Sequence, residues 1–422
     1  MSESTATYPE LTRARNLAAV IGLIGIGLTV VGLFLPGCAP HFFRGWLVGF
    51  NIFMGATTGA LLLIMIQYLT GGLWAFSLRR TWEAATRNLP LMAVLFVPIL
   101  FGMEYIYEWA RWETAHKDPA LIAEGTIYQG LYVEDHEYEH KYPLLNRNFF
   151  VIRMVIYFAI WGILTYFFNN WSVLMDQTRD RQLLDKATML AGPGIVLHAI
   201  VITFASLDLG MSIEARWYST MYGPKFGVGQ MLTAYSICLL VYLLMSSYRL
   251  ELDKQIKGQT MSDQGTLLGA FSMIWAYLCL MEFMIVWMGQ IPEELPYFDV
   301  RMMRAPWMYV AMALAILGYA APFLLLLNPH IKRVRPRLTA IVFLVCCVRI
   351  LDNVFLLVPG FDQGKPWVPD YPAYAFVMYP AAIVGIGGLW FAAFFWNLGL
   401  RSMVPSYSTQ EAWDGSPVQQ HA

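Results

Sequence analysis

Ten apolar runs, each long enough to cross about 30 Å of hydrocarbon, recur along this chain and leave few folds open to it. A bilayer offers no water to bare amides, so such a chain must close its backbone hydrogen bonds within helices. The runs cover residues 17–35, 46–69, 89–109, 148–168, 188–208, 228–247, 265–288, 306–327, 338–357 and 374–398. Only 14% of residues are charged, against about 25% in soluble domains. The expectation is an all-α polytopic membrane protein of about ten transmembrane helices. A membrane domain over 17–400 then lies between a cytoplasmic N-terminus, 1–16, and a polar cytoplasmic tail, 401–422. The formal charge of −1 gives no footprint for nucleic acid.

Orientation follows from Lys and Arg. The termini and the connections after the second, fourth, sixth and eighth runs hold 16 of the 28 such residues, among them Arg79, Arg80 and Arg87. The opposite connections hold ten. Positive-inside bias then puts both termini in the cytoplasm. Cys38 ends the string LPGC, but the apolar run before it is long and Pro36 is atypical of a lipoprotein site, so an uncleaved first span is expected. The five cysteines show no C-x-x-C spacing and predict no iron–sulfur cluster.

A short repeat divides the chain. Met103–Trp109 closes the third run and Met281–Trp287 the seventh, both reading M-E-aromatic-x-x-x-W at an offset of 178 residues. Two four-helix bundles, about 46–208 and 228–357, flanked by one helix at each end, fit a parallel repeat about the membrane normal. Each Trp suits the interface, and each Glu then lies about 7 Å deeper on a continuous helix.

Ionisable groups in hydrocarbon cost roughly 2.5–3.5 kcal/mol each on insertion scales, so they mark function or partners. Glu104, Glu282, Arg153, Asp208, Arg349 and Asp352 all fall toward the outer side, with His198 about three helical turns inward of Asp208. These seven are the candidates for a proton path or a quinone site. Blander readings stand beside them. Arg349 and Asp352, at i and i+3, form a structural bridge; Arg153 snorkels outward; Asp208 caps its helix; His198 is a hydrogen-bonded core residue. The inner half offers Gln67, Tyr166, Asn169, Ser236 and Tyr242 but no carboxylate within a run.

His136-Glu137-Tyr138-Glu139-His140 matches H-E-x-x-H, which binds zinc when both His share a helix face. It falls in an acidic connection, Arg111 to Arg147, without a helical apolar pattern, so a solvated loop that docks a basic partner is expected and no metal site. Only His198 lies within a run, which disfavours bis-histidine haem.

Asp208-Leu209-Gly210-Met211-Ser212-Ile213-Glu214 and Arg216-Trp217-Tyr218-Ser219-Thr220-Met221-Tyr222-Gly223 fit the pattern D-x-x-M-S-[LI]-E-x-x-W-[YF]-S-T-x-[YF]-G. Here the chain resembles the F subunits (ActF) of bacterial alternative complex III, relatives of the NrfD and polysulfide-reductase membrane-subunit family. The resemblance implies a subunit of a quinol:electron-acceptor oxidoreductase in a bacterial cytoplasmic membrane. Its implied partners are a multihaem cytochrome c, an iron–sulfur subunit, a sister ten-span C subunit and small membrane subunits. Quinol oxidation is assigned chiefly to the C subunit, leaving the F subunit to scaffold the complex and carry protons. No covalent cofactor is implied, only menaquinone or another quinone, and lipids. The family commonly has Pro-His where this chain has Ala215-Arg216, so His198 and Asp208 are carried over as candidates, and Glu214, Arg216, Trp217 and Tyr218 as a subunit junction.

Two alternatives stay open. The subunit could itself oxidise quinol, with His198 and Asp208 accepting the hydroxyl protons. A secondary transporter would show paired broken helices; Gly192, Pro193 and Gly194 interrupt the fifth run, with no counterpart in the ninth.

Overall fold

The structure, a computed structural model, describes residues 9–71, 74–122, 136–246, 258–290, 294–362 and 376–401. Among these there is no strand, and nine helices are long and apolar enough to cross a membrane, or ten if one bent pair counts as a span. The chain is an all-α polytopic membrane protein.

Two helices make the centre: α2 (Ala39–Thr70) and α10 (Tyr222–Ser246), with 94% and 72% of their most apolar stretches buried inside the protein. Without a hydrophobic drive between helices in lipid, close backbone approach must hold them. Gly59 supplies it, since a Cβ there would stand 2.2 Å from the Gln230 carbonyl oxygen.

Around this pair stand α3 (Arg79–Thr86), α4 (Leu89–Phe101), α5 (Met103–Ile106), α6 (Glu108–Lys117) and α7 (His136–Lys141). They are followed by α8 (Arg147–Thr178) and α9 (Arg181–Leu209). The second half continues with α11 (Gly258–Gly289), α12 (Trp307–Leu327) and α13 (Arg335–Leu357). α2 packs on α9, and α10 packs on α13, so the first helix of each half meets the fourth.

α1 (Pro9–Leu33) pairs mainly with the last helix, α14 (Met378–Gly399). α8 and α9 form a hairpin. Arg179 closes α8 in the left-handed region at φ 52, and the Asp180 side chain caps α9 by accepting from Gln182 N.

Several expectations change here. The third run is not one helix, and α3, which precedes it, meets α4 at a bend of 40°. α4 then stops at Gly102, where a Cβ would strike the Phe43 ring at 2.0 Å, and Tyr107 turns extended (ψ 128) before α6. Trp109 is consequently buried rather than interfacial, whereas Trp287 is exposed on unbroken α11. The continuous-helix depth argument therefore holds for Glu282 and fails for Glu104.

The fifth run carries Pro193 without a break, because α9 is continuous through it. The eighth run is the distorted one, with a π-helical segment at Leu314–Ala320. His136–Lys141 is helical rather than a loop, although the side chains of His136 and Glu137 lie outside the described residues. His41, placed outside the runs, is buried on α2. It does not pair with His198. Met65 stands beside Gly194, so counting 1.5 Å per residue along the two antiparallel helices separates the histidines by roughly 30 Å.

The α1–α14 contact is checkable. A Cβ on Gly25 would stand 2.5 Å from Gly385 N, whereas Gly27 meets nothing within 4 Å. Gly25→Ala should destabilise by about 1–3 kcal/mol through overpacking, with Gly27→Ala neutral. Thermal unfolding in detergent reads the difference, and equal melting of the two variants would rule out this packing.

Candidate functional site

Several carboxylates gather at one end of the bundle, the end where α2 begins and α9 finishes. Asp208, in the last turn of α9, is 3% exposed. Arg153 of α8 grips it with two bonds, Nε to Oδ2 at 2.9 Å and Nη2 to Oδ1 at 2.5 Å, and Tyr157 OH donates to Oδ2 at 2.9 Å. Arg153 does not snorkel. It is 6% exposed and donates its Nη1 to the Leu144 carbonyl. A bidentate guanidinium–carboxylate fork sealed from water is a strong pairing.

His198 lies deeper on α9, buried beside Trp161 with ring centroids 6.4 Å apart. Its Nδ1 has no hydrogen-bond partner among the described residues.

The second half carries its own pairs. Lys225 of α10 donates to Glu282 of α11 inside the protein, and Glu282 Oε1 has no hydrogen-bond partner among the described residues. Arg349 and Asp352 of α13 meet at 2.9 Å, with Arg349 Nε on Thr233 Oγ1 at 3.2 Å and its guanidinium 5.1 Å from the Trp275 ring centre. Beside them Asn51 Nδ2 bonds Asn353 Oδ1 at 2.9 Å, and Thr58 donates to Gln230 Oε1 at 2.7 Å. Lys225, Gln230, Thr233, Arg349 and Asp352 face a polar cavity of about 10 Å³ between α2, α10 and α13, room for about one water.

Glu104 and Glu282, paired by the repeat, live differently. Glu104 is part-exposed and meets Arg147, the first residue of α8, with Thr114 Oγ1 at 2.9 Å. Glu282 is buried and meets a residue from the helix before it in sequence.

The carriers of the family pattern split in two. Glu214 and Trp217 turn inward and join the halves. Arg301 Nη2 meets Glu214 Oε1 at 2.5 Å, Trp217 stacks on Tyr297 at 3.7 Å, and the Arg301 guanidinium lies 3.6 Å from the Tyr297 ring centre. Burial pushes the Tyr297 hydroxyl's pKa up against the lowering pull of Arg301, so the ring enters the stack as a neutral phenol. Arg216 and Tyr218 face outward and are exposed; Tyr218 lies 6.0 Å from Lys141 Nζ.

A large cavity reaches neither His198 nor Asp208. It opens between α11, α12 and α13, holds about 580 Å³, and has Trp275, Phe283, Leu314, Tyr319 and Phe355 in its walls. Asp352 is the one carboxylate in them. The π-helical segment of α12 supplies Leu314, Ala315 and Tyr319, so the helix distortion shapes this space. A neighbouring hollow of about 450 Å³ shares Phe283 and Met302 and ends at Asp299 and Arg304.

Sequence reading missed the opposite end. Glu83 of α3 is 1% exposed and lies among Arg79, Arg80 and Arg401, which contact it at 3.1, 2.6 and 3.1 Å. That end therefore also holds a buried carboxylate, and Arg79 and Arg80 are buried with it. The signal was present in R-R-x-x-E, whose i+3 and i+4 spacing puts both arginines on the face of the glutamate.

A line of hydrogen bonds runs from Thr57, midway along α2, to Arg87 at the Glu83 end. Trp390 Nε1 bonds Thr57, Asn88 Nδ2 bonds the Trp390 carbonyl, Asn397 Nδ2 bonds Asn88, and Arg87 bonds both Asn397 O and Asn169. An indole N–H only donates, so proton passage along this line needs water.

No family model matches the chain, and no curated protein matches it either.

The Arg153–Asp208 fork has a clear mutational signature. Asp208→Ala strands a buried guanidinium and should cost about 3–5 kcal/mol, whereas Arg153→Met with Asp208→Leu should recover most of it. Additive losses in that double-mutant cycle, read by thermal unfolding, would show the two side chains uncoupled.

Proposed function

We propose that this chain is an integral membrane subunit of a quinol-oxidising electron-transfer complex of the alternative complex III type. It anchors neighbouring subunits and carries protons through buried carboxylates. The reading rests on one observation above all: Asp208, Glu282 and Asp352, each paired with a base, collect at the end that bears the D-x-x-M-S-I-E pattern. Paired, buried carboxylates in a membrane are costly to keep and mark ion pathways. Exposed Arg216 and Tyr218 offer contacts to partners on that face. Positive-inside bias makes it the outer face.

The cavity favours a second reading, in which the subunit itself binds quinol. Apolar, aromatic walls suit an isoprenoid tail, and Asp352 is the group that would take a hydroxyl proton, which requires an approach of about 3 Å. His198 and Asp208 give way to Asp352 as the quinol-facing base in this reading, because neither lines the cavity. The small polar cavity behind Asp352, with Lys225 and Thr233 in its wall, gives the proton somewhere to go.

Solubilised from its native membrane, the chain should co-migrate with haem-staining polypeptides; migration by itself would overturn the assignment to a redox complex. In the intact complex, Asp352→Asn separates the two roles. A carrier role predicts fewer protons released per electron at unchanged quinol turnover. A quinol site at Asp352 predicts turnover reduced about a hundredfold, at the lower end of what a lost general base costs. Wild-type values for both would remove Asp352 from the function.

A further inference from the structure

We propose that the Glu83 end of the fold holds the phosphate of an anionic phospholipid between Arg87 and Arg401. Four guanidinium groups, those of Arg79, Arg80, Arg87 and Arg401, gather there around two carboxylates. Glu83 is shared by Arg79, Arg80 and Arg401, and Asp176 pairs with Arg80. Among the described residues two positive charges thus lack a carboxylate.

The geometry shows where that excess sits. Arg87 finds only neutral acceptors, with Nε at 3.1 Å from Asn169 Oδ1 and Nη1 at 3.4 Å from the Asn397 carbonyl oxygen. Arg401 Nη1 stands 3.5 Å from the same Asn169 Oδ1. Two cations therefore converge on one amide oxygen in a half-buried place, where repulsion is poorly screened. An anion between them turns that repulsion into attraction. The bonds described for the pair use Nε and Nη1 of Arg87 and Nη1 of Arg401, which leaves the Nη2 donors of both for a phosphate. Guanidinium forks match phosphate oxygens in pairs.

The surroundings select a lipid over a free phosphate. The site lies where α8 and α14 supply Asn169 and Asn397, and the same turns expose Phe167 and Trp396, at 37% and 58%. Those rings offer acyl chains a surface beside the charge. Basic pockets between spanning helices bind anionic headgroups in this way. Glu83 is already shared by Arg79, Arg80, the Ser172 hydroxyl and Nη1 of Arg401, and no bond links it to Arg87 among the described residues.

The test uses the full-length chain in phosphatidylcholine nanodiscs, with and without phosphatidylglycerol, read by native mass spectrometry and thermal unfolding. Wild type should retain phosphatidylglycerol and melt higher with it. Arg87→Gln and Arg401→Gln should each weaken retention about tenfold, the loss of one charge-assisted bond. Arg13→Gln, an exposed arginine of α1, should behave as wild type. If Arg87→Gln does not fold, Arg401→Gln, at the more open edge, carries the test. Equal retention by both glutamine variants and wild type overturns the proposal. So does equal stabilisation by inorganic phosphate in phosphatidylcholine discs. A Glu411→Gln, Asp414→Asn chain that loses as much stability as Arg87→Gln would show the tail closing the cluster instead, and would also overturn it.

Discussion

Pairing of buried charges ties the two halves of this protein together. In a low dielectric an unpaired ion costs several kcal/mol, and pairing returns that only with good geometry and further hydrogen bonds. The pairs here have both. Arg153 forks Asp208 while Tyr157 and the Leu144 carbonyl fill the remaining valences. Arg301 reaches Glu214 and the Leu356 carbonyl, bridging the segment after α9 to the end of α13. Helices that lack any hydrophobic reason to associate in lipid are thereby given a specific neighbour.

The α2–α10 contact sets where those pairs fall. Gly59 lets the backbones touch, which brings Gln230 to Thr58 and aligns Lys225, Thr233 and Arg349 around one water-sized cavity. From that cavity polar groups continue along α2 and α14 to Glu83. The line is rich in donors that cannot pass a proton on, so its first role is to hold helices in register, and conduction depends on water within it.

Much of this was legible in the residues. Apolar runs marked nearly every span, and Asp208, Glu282 and Asp352 stood out by cost alone. Other features were not. Pro193 reads as a break and is absorbed by α9, while the true break at Gly102 comes from the approach of Phe43, a residue 59 positions away. Arg79 and Arg80 fall in a connection between apolar runs because hydropathy scores each residue singly; they are buried because Glu83 and Asp176 meet them. Trp109 and Trp287 share a motif, yet one is core and the other surface, since helix continuity differs between the copies.

The sequence by itself determined that this chain crosses a membrane many times as helices, because apolar length and the need to satisfy amides leave no other solution. It also determined which residues carry charge into that environment. Tertiary structure alone decided who pairs with whom. Arg153 with Asp208, Lys225 with Glu282 and Arg301 with Glu214 are 55, 57 and 87 positions apart. Such partners are chosen by how helices pack, and local spacing holds no record of it. The same packing placed the large apolar cavity against Asp352, with the π-helical segment of α12 in its wall, and left Asp208 outside it.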